Sequence, residues 1–188
     1  VKIVKEDDEN LLKPQSPYAE IKLKEERLLK KEGKNLNYIS FRFGTIAGVS
    51  KGMRFHTAIN KFCLNASLNE KIQVYNTAYN QYRPYLSLKD AFKVFKFCID
   101  KNLFNNETYN ALSGNFTVKE IIGMIKKYKN KIKIKFIKSE IMNQLSYHVD
   151  NNKLKRIGLR LNSKIEKDIK ETLNLFKNLN NKIRANLP

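Results

Sequence analysis

Cysteine is scarce in this 188-residue chain, which carries only Cys63 and Cys98. Two thiols build neither a disulfide framework nor a zinc site, so a reduced, cytoplasmic chain is the simplest expectation. Proline (four) and glycine (seven) are also few, and they form no internal repeat and no low-complexity linker. Long hydrophobic runs are missing. None approaches the ~18 apolar residues a spanning helix needs, so no membrane partner is expected. The opening VKIVKEDDEN turns acidic at once and reads as no export signal. Acid itself is thin, 18 Asp and Glu against 37 Lys and Arg, for a net charge of +19.

What is present suits a folded domain. Apolar residues make up 41% of the chain, too many for a disordered tail and enough to bury a core. The positive charge raises a nucleic-acid reading, because a basic surface attracts phosphate of any sequence. Two features argue against it. Only seven of the basic residues are Arg, whereas specific readers lean on Arg forks. The lysines are also spread along the whole chain, as in a solvated surface. In the densest cluster, Lys131, Lys133 and Lys135 alternate with Ile132, Ile134 and Phe136. Period two predicts a strand with one wet face and one buried face, its edge protected by lysine.

Helical and strand periodicity alternate along the chain, which predicts an α/β protein. Lys2 to Pro17 reads as a loop broken by Pro14 and Pro17. Tyr18 to Lys31 predicts a helix closed by Gly33. Asn37 to Phe43 reads as a strand, and the glycine-punctuated stretch after it as a loop. Phe55 to Ser67 has helical spacing, Ile72 to Tyr75 that of a short strand. Lys89 to Lys101 predicts an amphipathic helix with Ala91, Val94, Phe95 and Cys98 inward and Asp90 as its cap. Thr108 to Leu112 reads as a strand, Thr117 as the cap of a helix to Tyr128, and Asn151 to Ile157 and Ser163 to Leu179 as closing helices. Cys63 and Cys98 fall on apolar helix faces and read as core residues. His56 and His148 match no metal spacing.

One motif carries chemistry: Ser16-Pro17-Tyr18-Ala19-Glu20-Ile21-Lys22. A Tyr and a Lys four apart share a helix face. An ammonium beside a phenol favours the phenolate. Such a pair can move a proton on and off a substrate hydroxyl, the acid/base half of a hydride transfer.

The context of that pair resembles a known family. PQSPYAEIKLKEERLLK is similar to the active-site helix of the extended short-chain dehydrogenase/reductases, the NAD-dependent epimerase/dehydratase group acting on nucleotide sugars. The likeness continues in order through FRFGTIAG (Phe41 to Gly48), GMRFHTAIN (Gly52 to Asn60) and YRPYLSLKD (Tyr82 to Asp90). It runs on through YNAL (Tyr109 to Leu112) with FTVKEI (Phe116 to Ile121), and closes at SYHVD (Ser146 to Asp150) with Lys153 and LKRIG (Leu154 to Gly158). The resemblance implies Tyr18 as catalytic acid/base, and Lys22 as its tuner and the holder of the nicotinamide ribose. It implies Arg83 on the diphosphate of the nucleotide sugar, with Asn60 and Thr45 near the same ligand. Leu145 stands where many relatives carry an Arg. NAD or NADP is the implied cofactor, and a homodimer or a complementary N-terminal half the implied protein partner.

The family's cofactor site opens with a strand, a Gly-rich turn and a helix. No G-x-x-G-x-x-G or G-x-G-x-x-G occurs in this sequence. The resemblance therefore predicts the C-terminal part of a Rossmann-type fold plus the smaller α/β substrate domain. Residues 1–50 would end the Rossmann-type domain, and 51–188 would be mainly substrate-binding, with Rossmann elements returning near 72–112. Three readings stand open: an NAD-dependent nucleotide-sugar epimerase or dehydratase present in part, a non-catalytic partner or remnant domain, and a basic nucleic-acid-binding domain.

Overall fold

The computed structural model describes residues 2–8, 14, 16–138, 146–177 and 179. The chain folds as α/β, with nine strands and six α-helices among those residues. Parallel pairing dominates. Strand β1 (Lys2–Val4) pairs with β9 (Tyr147–Val149), β2 (Ile39–Phe43) with β6 (Glu107–Ala111), and β4 (Lys71–Tyr75) with β8 (Lys133–Ile137). A three-stranded sheet sets β5 (Tyr82–Ser87) between parallel β3 (Thr45–Ala47) and antiparallel β7 (Gly114–Thr117).

The helices are α1 (Pro17–Glu32), α2 (Ala58–Ser67), α3 (Leu88–Asp100), α4 (Val118–Tyr128), α5 (Asn152–Arg156) and α6 (Ile165–Leu175); α2 to α6 pack against strands, whereas no residue of α1 is buried. None of the described helices is long and apolar enough to cross a membrane. Strand β5 divides the interior. Tyr85 points into one core with Ile59, Cys63, Ile121 and Ile169, whereas its neighbour Leu86 points into a second with Val94, Tyr109 and Leu154. Period-two geometry forces that split, since adjacent strand residues face opposite sides.

Local chemistry sets several boundaries. Ser16 caps α1 by accepting from the Ala19 N–H at 3.2 Å, and Pro17 occupies the first helical position, where no amide donor is needed. Thr117 and Glu120 form a reciprocal capping box on α4.

Four expectations change. Lys2–Val4 is a strand, made by long-range pairing that a three-residue segment does not announce. Short β3 lies inside the glycine-punctuated stretch, for the same reason. Phe95 is 52% exposed, because it sits on the flank of the buried Ala91–Val94–Cys98 stripe of α3. Asp90 is no cap. Ser87 occupies that position, and Asp90 is wholly buried one turn further in. The lysine-edged strand is present as β8, with Ile132 and Ile134 against the core. Phe136 is half exposed at its far end, where it meets Tyr79 edge-on at 5.2 Å.

Candidate functional site

Tyr18 and Lys22 lie on the first turns of α1, where Ser16 and Pro17 start the helix beside them. Lys22 Nζ stands 5.9 Å from the centroid of the Tyr18 ring. The row continues at the same spacing to Glu26, whose carboxylate takes both Nε and Nη2 of Arg42 on β2, with Nε at 2.9 Å. Arg42 Nη1 also donates to the backbone oxygen of Glu6 at 3.1 Å. One helical row is therefore pinned at one end and open at the other, and Tyr18 is 72% exposed. The spacing of Tyr18 and Lys22 was readable in sequence. The Glu26–Arg42 anchor was not, since an Arg inside a strand announces no partner.

Lys22 also donates to Glu25 Oε2 at 2.7 Å. That hydrogen bond, then the Glu25 charge, holds the ammonium above its ordinary range, with a lesser push from Tyr18. Lys22 stays charged. Because the Lys22–Glu25 pair is solvent-exposed on both sides, water screens it and giving it up to a ligand costs little.

Arg83 lies on β5. Its guanidinium donates to the Tyr82 backbone oxygen at 2.7 Å and to Gln81 Oε1 at 2.9 Å, and sits 5.4 Å from the Tyr147 ring centroid. These contacts hold the fork in one orientation. Thr45, exposed at the start of β3, is in register with Tyr85, two residues along from Arg83. Asn60, in the first turn of α2, is buried. Its Nδ2 donates to the Arg54 backbone oxygen at 3.0 Å, and its Oδ1 lacks a partner among the described residues. The structure thus sets Thr45 and Arg83 near one end of one sheet. Tyr18 and Lys22 are anchored separately, through Arg42. Leu145 lies outside the described residues.

Other candidates resolve as packing. Cys63 is fully buried, and burial pushes its thiol up to about 12, so it is no nucleophile at neutral pH. Cys98 is buried as well. His148 packs edge-on against Tyr82, ring centroids 4.2 Å apart. No group of three or more His, Cys, Asp or Glu side chains that could hold a metal occurs among the described residues.

Comparison with known proteins identifies the family and the fold. A family model described as the NAD dependent epimerase/dehydratase family matches residues 2–111, more than half of the chain. UDP-glucose 4-epimerase from Thermus thermophilus, solved with NAD, superposes with a TM-score of 0.75 at 20% identity over 88% of this chain and 55% of that one. UDP-glucuronic acid 4-epimerase from Bacillus cereus, solved with UDP-glucuronic acid and NAD, gives 0.79 at 20% over 91% and 56%. dTDP-glucose 4,6-dehydratase from Bacillus anthracis, solved with NAD, gives 0.76 at 19% over 93% and 56%. The chain spans little more than half the length of the solved structures it matches.

Proposed function

The chain belongs to the NAD-dependent epimerase/dehydratase family, and from that membership we propose that it supplies the Tyr/Lys helix and the nucleotide-sugar side of an NAD(P)-dependent epimerase or dehydratase. The observation that carries this reading is the Tyr18–Lys22–Glu26 row, with its phenol and ammonium on an open face and its base tied to β2 through Arg42. A phenol and an ammonium fit the nicotinamide-ribose end of a dinucleotide. The pyrophosphate end needs clustered backbone N–H groups at a helix N-terminus, and the glycines at 44, 48 and 52 recur at the wrong spacing for such a turn. That cradle would come from another α/β segment.

NAD, when bound, supplies the hydride acceptor. Tyr18 Oη takes the proton of the sugar hydroxyl as general base and returns it as general acid. Lys22 would favour the anionic form of the Tyr18 phenol beside it and would hold the nicotinamide ribose of the cofactor. Arg83, its fork oriented by Gln81 and Tyr147, takes the diphosphate, with Thr45 and Asn60 lining the same ligand.

A second reading, a partner domain docked on a complementary α/β segment, has its own support. Phe92, Phe95 and Ile99 of α3 are 67%, 52% and 70% exposed, and the Phe95 ring stands beside Phe41 and Phe43 of β2. Among the described residues β2 pairs with β6 alone. Parallel sheets are normally covered on both faces and extended by further strands, so this flank suits an added strand and helix.

Calorimetric titration with UDP-glucose tests the substrate assignment. Binding should weaken roughly 10- to 100-fold in Arg83→Ala, as loss of charged hydrogen bonds predicts. In the assembly that turns over, Tyr18→Phe should lower kcat by roughly 10²–10⁴-fold with KM nearly unchanged. Wild-type and Arg83→Ala chains that bind UDP-glucose equally would refute the role given to Arg83.

A further inference from the structure

Two carboxyl groups are buried where α6, the N-terminus of α3 and the end of β3 meet, and they are treated very differently. Asp90 is saturated. It accepts from Ser113 Oγ at 2.7 Å, Ser163 N at 2.9 Å and Ser163 Oγ at 2.7 Å, and Lys93 Nζ lies 3.3 Å away. Burial alone would push its acidity the other way, yet these donors together hold it below the ordinary carboxylate range.

Asp168, in the first turn of α6, is only 2% exposed, and its Oδ2 has no hydrogen-bond partner among the described residues. The Ser87 hydroxyl, itself fully buried and without a well-formed hydrogen bond, lies beside it and can donate to it. Gly48 completes the seam at φ +137°, where a Cβ would meet Leu88 Cβ at 2.9 Å and Asp168 Oδ1 at 3.5 Å. The Lys89 charge offsets the burial of Asp168 only in part. Lys89 is committed to Glu171 at 2.7 and 3.0 Å, and the remaining neighbours, Glu171 and Asp90, are acidic. A buried carboxylate with the Ser87 hydroxyl as its one nearby donor is less well satisfied than Asp90 with its four, whereas the neutral acid carries no charge to desolvate and can itself donate to the Ser87 oxygen.

We propose that Asp168 is a proton-operated clamp, seating the first turn of α6 against Gly48 and Ser87 as the neutral acid and loosening that seam as the carboxylate. The seam matters beyond itself. The segment after Gly48 leads directly to Arg54, whose backbone oxygen holds Asn60, and α6 packs on α2. Burial raises the Asp168 acid above its unfolded value, outweighing the Ser87 hydrogen bond and the Lys89 charge that oppose it, with lesser help from the Glu171 and Asp90 charges. The folded state therefore binds this proton more tightly than the unfolded chain. Its contribution is full below the unfolded value of about 4 and is lost as pH rises through the folded value.

The test compares wild type with Asp168→Asn from about pH 4 to pH 8. Asparagine keeps the shape of the neutral acid, so the variant should melt several degrees above wild type at the alkaline end and converge with it at the acid end. Hydrogen exchange should show α6 amides losing protection with rising pH in wild type, beyond the intrinsic rate change, and not in the variant. An Asp168→Asn chain that melts lower at every pH would overturn the proposal, since it would mean the carboxylate is the stabilising form. Carbon-13 titration of the wild-type Asp168 carboxyl decides the matter without any variant. A midpoint above the ordinary carboxylate range supports the clamp, and one at or below that range refutes it.

Discussion

Asp90 shows how a single buried charge is stabilised in this fold. Its neighbours offer three hydroxyl or amide hydrogen bonds plus the Lys93 ammonium, so removing the carboxylate strands the donors on Ser113 and Ser163. Asp90→Ala should therefore destabilise the chain by about 3 kcal/mol, the range for breaking a buried polar network. Denaturant unfolding would measure it, and a loss below about 1 kcal/mol would show that the network relaxes around the gap. Asp90 also marks what sequence conceals at this scale. An Asp near a helix start reads as a cap, because position along the chain is visible and the distant partner Ser163 is not. Tyr18 and Lys22 were legible because their spacing alone places them on one face. The Arg42 that fixes their row lies on another strand, and no local pattern connects the two.

Elements were legible where their ends carry local chemistry. Helix α4 was readable from Thr117 and the apolar spacing behind it, and the structure adds the reciprocal bond from Glu120. Thr117→Ala should cost about 1 kcal/mol, since the Glu120 amide loses its acceptor while the Thr117 amide keeps the Glu120 carboxylate, and a thermal melt should register it. No change in melting would mean that tertiary packing alone holds the first turn. Strands β1 and β3 were not legible. Each has three residues and exists because a remote parallel partner completes it. Phe95 was expected inward on periodicity, and helical periodicity does place it beside the buried stripe. Its exposure reflects what stands next to α3, which no pattern within α3 encodes. If the Phe92–Phe95–Ile99 flank is a docking face, Phe92→Ser with Ile99→Ser should leave stability within about 1 kcal/mol while reducing binding of an apolar dye.

At the scale of the molecule, β5 carries much of the organisation. It separates two cores through adjacent Tyr85 and Leu86 and presents Arg83 at its start. The α/β class was legible from alternating periodicities, and the family from ordered short motifs rather than from any one of them. The division of the described strands into four small sheets was not legible, since register and pairing partner are long-range properties. The central claim is that this chain provides Tyr18, Lys22 and the substrate side, while the pyrophosphate cradle comes from a further α/β segment. Fluorescence titration of the 188-residue chain with NADH tests it most directly, with Tyr18→Phe and Lys22→Ala alongside. The account predicts no saturable binding by the chain alone. Saturable binding that weakens in Lys22→Ala would contradict it, and would make this chain a cofactor-binding enzyme in its own right.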